Sequence, residues 1–344
     1  MRRCKINSTP LPLGKLPAEL LNRLLAQSPL DDRRVLLGPG IGLDCAVVDH
    51  GGPTLLVYKI EPITFATDEI GWYAIQVSAN DIVTTGALPR WYLVNLLLPQ
   101  GSTTSDLVEQ IGEQLHRACR AMGISIIGGH TEITYGLDRP ILVGTLIGEV
   151  ERQRLVTPRG AAPGHRLLLT KGVPIEATAI LAREFPARLK GFIEDQELAQ
   201  AANYLYEPGI SVLRDAQVSQ QAGKVSAMHD PTEGGLAAAL WELAEACGHS
   251  LVFDPERVFI PPLSQKICQV FGLDPLATIA SGALLLSTPA SDAPAILRAL
   301  QAAGILCTEI GWVEAGNAVV WKQTPQGWEV LPRPKRDEIT RVYE

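Results

Sequence analysis

Four short stretches carry carboxylates and glycines where simple packing would not select them. Asp44 stands between the glycine-rich run Gly38-Pro39-Gly40-Ile41-Gly42-Leu43 and the apolar segment Cys45-Ala46-Val47-Val48. Asp81 falls in line with Ile70, Ala74 and Val77 at helical spacing, about 100° from the polar stripe at positions 73, 76, 80 and 84. Gly128-Gly129-His130-Thr131-Glu132 follows an apolar run, and His229-Asp230-Pro231-Thr232-Glu233-Gly234-Gly235 precedes an Ala- and Leu-rich stretch. Each has a plain structural reading. Asp44 suits a turn, and Asp81 suits half of a buried ion pair, because a lone buried charge is expensive. Gly-Gly pairs are common in turns, and His130 reads as a structural hydrogen-bonding histidine. Asp230 or Thr232 suits a helix N-cap, with Pro231 near the start and Glu233 in the first turn.

Each stretch also has a chemical reading. Glycines at a strand end let backbone N–H groups approach an anion, and a helix N-terminus beside Asp230 suits phosphate. Mg²⁺, a hard ion that favours oxygen ligands, bridges carboxylates to phosphates. Three such motifs in the first half and a matching one in the second favour this chemistry when taken together. The sequence has no Walker A motif, no kinase glycine loop with H-R-D and no G-x-S-x-G elbow. Phosphate handling here needs another scaffold.

The elements that must position these residues follow from periodicity and punctuation. Helices are predicted over 16–27, 70–86 and 105–122, and strands over 45–48, 54–60, 91–98, 124–127 and 140–150. Alternating strands and helices predict a two-layer α/β unit ending near residue 152. The Pro- and Gly-rich segment 156–164 marks a boundary. Beyond it, strands are predicted over 165–170, 283–287 and 309–313, helices over 176–183, 195–205, 209–222 and 233–247. A hairpin is predicted around Pro325-Gln326-Gly327, followed by an exposed charged tail over 332–338. The domain reading is an extension with a helix (1–37), two domains (38–152 and 163–315), and a hairpin with its tail (316–344).

The chain has 344 residues, 30 Lys plus Arg against 37 Asp plus Glu, and a net charge of −7. That balance argues against a nucleic-acid partner held by phosphate neutralisation. Hydrophobic residues make up 46% and charged residues 19%, as in folded globular domains. No apolar run approaches the roughly 18 residues of a membrane span, and the basic N-terminus leads into Pro10 and Pro12 with no signal core. A cytoplasmic location is expected. Cys4, Cys45, Cys119, Cys247, Cys268 and Cys307 are scattered without a C-x-x-C pair, which predicts small buried apolar residues instead of zinc or disulfides.

The four motifs together resemble the aminoimidazole ribonucleotide synthetase superfamily. They are Gly42-Leu43-Asp44-Cys45-Ala46-Val47, Asn80-Asp81-Ile82 through Thr85-Gly86-Ala87, Gly128-Gly129-His130-Thr131-Glu132 and Asp230-Pro231-Thr232-Glu233-Gly234-Gly235. They recur in the family's order over about residues 38–315. The third and fourth are most similar to the hydrogenase-maturation carbamoyl dehydratase branch. The resemblance implies an α+β two-layer, two-domain synthetase-like fold and a homodimer whose N-terminal sheets pair. It implies ATP and Mg²⁺ as cofactors, with metal ligands at Asp44, Glu61, Asp81 and Asp230. Glu61 stands where the family has aspartate and is one methylene longer. Lys59, Gly128, Gly129, His130 and Thr131 are the implied nucleotide contacts.

The family chemistry is transfer of the ATP γ-phosphoryl group, which here predicts activation of a carboxamide-type oxygen on a small molecule or a protein thiol. A small-molecule kinase of the thiamine-monophosphate type is the alternative, although Asp-Pro-Thr-Glu-Gly-Gly differs from the Asp-Ile-Ser pattern of that branch. A nucleotide-binding scaffold without turnover is the third reading. The dehydratase branch ends in a carbamoyl-accepting cysteine, whereas this sequence ends Thr340-Arg341-Val342-Tyr343-Glu344 and its last cysteine, Cys307, adjoins a predicted strand. The expectation is that this chain does not carry the carbamoyl group on itself.

Overall fold

The structure, a computed structural model, describes residues 11, 13–40, 42–64 and 66–344. Cys4, Pro10, Pro12 and Ile41 of the first glycine run lie outside the described residues.

One sheet holds β1 (Val35–Leu37), β2 (Ala46–Val48), β3 (Thr54–Ile63), β4 (Leu88–Pro99), β5 (Ser125–Thr134) and β6 (Ile141–Glu151) in the order β1-β2-β3-β6-β4-β5. Only the β4–β5 pair is parallel. Helices α1 (Ala18–Leu25), α2 (Ile70–Thr84) and α3 (Ser105–Met122) belong to this half. The second sheet holds β7 (Arg166–Thr170), β8 (Ala227–His229), β9 (Ser250–Phe253), β10 (Leu285–Thr288), β11 (Cys307–Glu314), β12 (Val320–Thr324) and β13 (Gly327–Val330). Its order is β13-β12-β9-β11-β7-β10-β8, so the predicted hairpin is part of this sheet, through β12 on β9. Its helices are α4 (Ile175–Glu184), α5 (Pro186–Leu189), α6 (Asp195–Ala202), α7 (Leu213–Ala222), α8 (Gly235–Cys247), α9 (Pro262–Phe271), α10 (Ala293–Ala302) and α11 (Thr340–Tyr343). The mixed α/β class and two-sheet architecture agree with the sequence reading.

Local chemistry explains the element ends. Thr104 caps α3 by accepting the Leu107 N–H at 3.2 Å, and Gly123 closes it at φ 68°. In β3 the residues Leu55, Val57 and Ile63 are buried, and β6 alternates half-buried and buried along its length. One face of the sheet therefore packs on α2.

Helix α2 departs from its pattern. Every residue from Ile70 to Thr84 except Trp72 is buried, including the stripe read as polar. The second half of the chain covers that stripe. The Asn80 amide donates to Ile210 O at 2.8 Å and accepts from Val212 N at 2.9 Å. Of this stripe, Asn80 finds its partners in the second half and Thr84 donates to Asp81 O in its own helix, whereas Tyr73 Oη and Gln76 Oε1 are buried without a hydrogen-bond partner among the described residues.

Two sequence expectations need correction. The Gly128-Gly129 pair does not end a strand, because β5 runs through the whole motif to Thr134. The tail over 332–338 is not uniformly exposed. Asp337 is buried, with Oδ2 accepting from Gly234 N at 2.5 Å and Oδ1 from Ile339 N at 2.7 Å. Buried Ile339 and Val342 anchor the segment, and Tyr343 packs edge-on to Phe185 at 5.2 Å. These contacts draw a charged sequence inward.

Candidate active site

The carboxylates come from three separate elements. Asp44 precedes β2, Glu61 sits on β3 two residues after Lys59, and Asp81 lies on α2. Residues i and i+2 share a strand face, so Lys59 and Glu61 both point toward α2. Lys59 Nζ lies 2.9 Å from Glu61 Oε2 and 3.0 Å from Asp81 Oδ2. The second sheet supplies His229 at the end of β8, followed by Asp230. His229 Nδ1 is 3.3 Å from Asp44 Oδ2, and its Nε2 is 2.8 Å from Glu242 Oε2 on α8. An imidazole thus bridges the two halves of the molecule.

Close backbone approach holds this junction. Gly42, at φ 69°, lies so near α8 that a Cβ there would come within 2.7 Å of Glu242 O. Gly235 has φ 60°, and a Cβ would meet Leu276 O and Thr278 O at 2.7 Å. Only glycine meets both demands at low cost.

The electrostatics show more acid than the interior can keep ionised. Burial pushes the Asp81 carboxyl up to about 7, Asp44 and Glu61 push the same way, and Lys59 opposes them. Asp230 is raised well above the usual range by burial and then by the Asp81 charge. Burial would also raise Asp44, but the hydrogen bond and charge of His229 outweigh it and hold that carboxyl below its ordinary value. Burial disfavours a charged His229, yet its flanking carboxylates Asp44 and Glu242 raise it well above normal.

Asp230 is fully buried, and neither of its carboxylate oxygens has a hydrogen-bond partner among the described residues. An unpaired buried carboxylate next to others of its kind calls for a cation. The donor set is all oxygen, which fits Mg²⁺. Among the described residues no three Asp, Glu, His or Cys side chains are placed, as they stand, to hold a metal ion. The ammonium of Lys59 instead supplies positive charge between Glu61 and Asp81.

The structure therefore brings Asp44, Lys59, Glu61, Asp81 and Asp230 into one region. The other predicted contacts lie elsewhere. Glu61 pairs with Gly144, Gly144 with Val94, and Val94 with Gly129. Three strand spacings, roughly 14 Å at about 4.8 Å each, separate Gly129 from Glu61. Gly128, Gly129, His130 and Thr131 are exposed on edge strand β5, and His130 Nε2 sits 3.4 Å from Glu132 Oε2.

Sequence reasoning missed Lys15, Glu176 and Glu242. Lys15 Nζ lies 3.8 Å from Glu242 Oε1 and 3.4 Å from Thr232 Oγ1. The available signal was a lone acid inside an apolar run, Val173-Pro174-Ile175-Glu176-Ala177 and Ala239-Leu240-Trp241-Glu242-Leu243. Cys45, Cys119 and Cys268 are buried and free, as the sequence predicts. Cys45 Sγ donates to Asp81 O at 3.3 Å. Cys247 and Cys307 are only partly buried, and burial pushes the Cys307 thiol up to about 12. No helix among the described residues is long and apolar enough to cross a membrane.

Known proteins resemble this chain in sequence and in fold. The AIR synthase related protein N-terminal domain matches residues 42–150, and the corresponding C-terminal domain matches residues 162–322. A putative hydrogenase expression/formation protein of Methanocaldococcus jannaschii, MJ0676, is 27% identical over 343 residues, spanning 96% of this chain and 97% of its own. Carbamoyl dehydratase HypE of Cupriavidus necator is 28% identical over 250 residues, spanning 71% of this chain and 67% of its own. The fold matches that of hydrogenase maturation protein HypE in complex with ATP, at TM-score 0.71 and 23% identity over 93% of this chain and 96% of that one. It also matches AaThiL complexed with AMPPCP and TMP, at TM-score 0.70 and 22% identity over 92% and 94%. With both domains matched in order and the fold shared, this chain belongs to the AIR synthase related proteins.

Proposed function

We propose that this chain is an ATP- and Mg²⁺-dependent enzyme that activates a carboxamide-type oxygen by γ-phosphoryl transfer. The acceptor is a small molecule or a group borne on another protein's thiol. The observation that carries the reading is Asp230, buried without a partner beside Asp44 and Asp81 at the junction of the two sheets. The HypE relatives, described as carbamoyl dehydratases, and the ATP-bound structure of similar fold support it.

Asp44, Glu61, Asp81 and Asp230 would hold Mg²⁺, which when bound neutralises phosphate charge. Lys59, which holds Glu61 and Asp81 in this structure, would be the cation available to a phosphate oxygen once those carboxylates held the metal. His229 stays an imidazolium between Asp44 and Glu242, orienting the Asp44 carboxylate. A site of this kind works by positioning and charge neutralisation, with little covalent work from the protein.

The homodimer belongs to the same proposal. The face of the first sheet turned away from α2 leaves Tyr58, Ile60, Leu93, Leu97, Val143 and Ile147 exposed or half-covered. Pairing of two such faces would bury them.

The test is a thermal-shift titration with ATP and Mg²⁺, followed by ADP release on addition of an S-carbamoylcysteine peptide. A shift with peptide-dependent ADP release is the expected outcome. ADP release with thiamine monophosphate instead would favour the kinase reading, and a shift without ADP release would favour a scaffold.

A further inference from the structure

A small cavity of about 50 Å³ opens beside the carboxylate cluster, lined from both halves of the chain by Glu61, Tyr73, Glu176, Thr232, Glu233 and Ser281 among others. A water needs roughly 10–15 Å³ on this measure, so the space suits three or four heavy atoms, the size of a carboxamide head. Glu61 links the cavity to the candidate metal ligands. Glu176, in the first turn of α4, is buried on another wall. Its Oε2 accepts the Ser281 N–H at 3.2 Å, and among the described residues no Lys, Arg or His forms an ion pair with it. The Tyr73 hydroxyl, also lining the cavity, is buried without a hydrogen-bond partner.

A buried carboxyl without a cation and a buried hydroxyl without a partner are both costly unless something uses them. We propose that Glu176 is the catalytic base of this site, taking a proton from the carboxamide nitrogen of the acceptor while Tyr73 hydrogen-bonds the same group. The assignment rests on the carboxamide reading above. As the carboxamide oxygen forms its bond to the γ-phosphorus, the bond from that phosphorus to the ADP oxygen breaks. The nitrogen then loses one proton to the Glu176 carboxylate, leaving an O-phosphoryl imidate whose nitrogen is uncharged and whose phosphoryl group stays anionic. Cleavage of the C–O bond, with loss of the second nitrogen proton, yields a nitrile and inorganic phosphate. Glu176 returns each proton to solvent between steps.

The local electrostatics agree with this role. Burial pushes the Glu176 carboxyl up to about 7, the negative charges of Asp337 and Glu233 add to that, and hydrogen bonds from Ser281 oppose it. Lys15 and Glu61 stand on the walls of the same cavity. A base whose pKa lies near the working pH transfers protons most effectively.

The test compares wild type, Glu176→Gln and Glu176→Asp with ATP, Mg²⁺ and an S-carbamoylcysteine peptide, following ADP release and nitrile formation across pH. Expected for Glu176→Gln is a fall in kcat of about 100-fold or more, with KM for ATP and the Mg²⁺–ATP thermal shift unchanged. The limb of the kcat profile near pH 7 disappears in that variant and persists, at lower kcat, in Glu176→Asp. Wild-type kcat in Glu176→Gln overturns the assignment, as does loss of the limb in Glu176→Asp. A wild-type enzyme that keeps its ATP shift but neither releases ADP nor forms nitrile with the peptide refutes the carboxamide reading, and Glu176 falls with it.

Discussion

Lys59 on β3 and Asp81 on α2 meet at 3.0 Å in the interior between sheet and helix. The same ammonium serves Glu61 at 2.9 Å, so one cation holds two carboxylates. Removing one partner from a buried pair leaves an uncompensated charge, at a cost of about 3–5 kcal/mol. Lys59→Met should lose stability on that scale without metal. Mg²⁺ alone should recover part of it, more than it stabilises the wild type. Thermal melts with and without Mg²⁺ check this, and an absent Mg²⁺ response would remove this cluster from consideration as a metal site.

ATP with Mg²⁺ should raise the melting temperature of the wild type, by mass action equivalent to about 2.7 kcal/mol at a hundredfold excess over Kd. Asp81→Asn should abolish the Mg²⁺-dependent part of that shift and leave any metal-independent part. An unchanged shift in the variant would exclude Asp81 as a ligand.

Stability should also depend on Glu176 through pH. Burial raises its folded-state value to about 7 from the ordinary 4.5. The native state therefore holds the proton more tightly, and this contribution is fully present below about pH 4.5. It is lost as pH rises through 7, because the unfolded chain ionises first. Glu176→Gln should flatten the fall in stability between those limits. Denaturant melts at pH 5 and pH 8 measure the difference, and equal slopes in both proteins would contradict it.

Asp337 should matter more than its place in a charged tail suggests. Its carboxylate satisfies the N–H of Gly234, at the entry to α8, and that of Ile339. Asp337→Ala leaves both donors without their acceptor and should cost about 2–4 kcal/mol. Asp337→Asn, which keeps one acceptor oxygen, should cost less. Chemical denaturation distinguishes the two.

The partly bare face of the first sheet predicts a homodimer at micromolar concentration. Leu93, which is 38% exposed, sits on the open side of β4. Leu93→Asp should shift sedimentation from dimer to monomer while leaving the far-ultraviolet circular dichroism unchanged. A monomeric wild type would count against the interface.

The sequence by itself determined the element types and the two-sheet class, because period-two and period-3.6 patterns and glycine stops act over a few residues. It also marked Asp44, Asp81 and Asp230 as out of place, since a carboxylate against an apolar face is a local anomaly. Only the tertiary structure decided which of these meet. Lys59 reaches Asp81 across the space between β3 and α2, and His229 joins Asp44 to Glu242 across the two sheets. The Lys59–Asp81 pair closes 22 residues of chain and the Asp44–His229 pair 185, and no local pattern encodes them. The same reason hid Asn80, whose amide is polar in sequence yet buried against Ile210 and Val212. It also places Gly128 and Gly129 inside edge strand β5 and not at its end, because strand length is set by the neighbour β4 it pairs with.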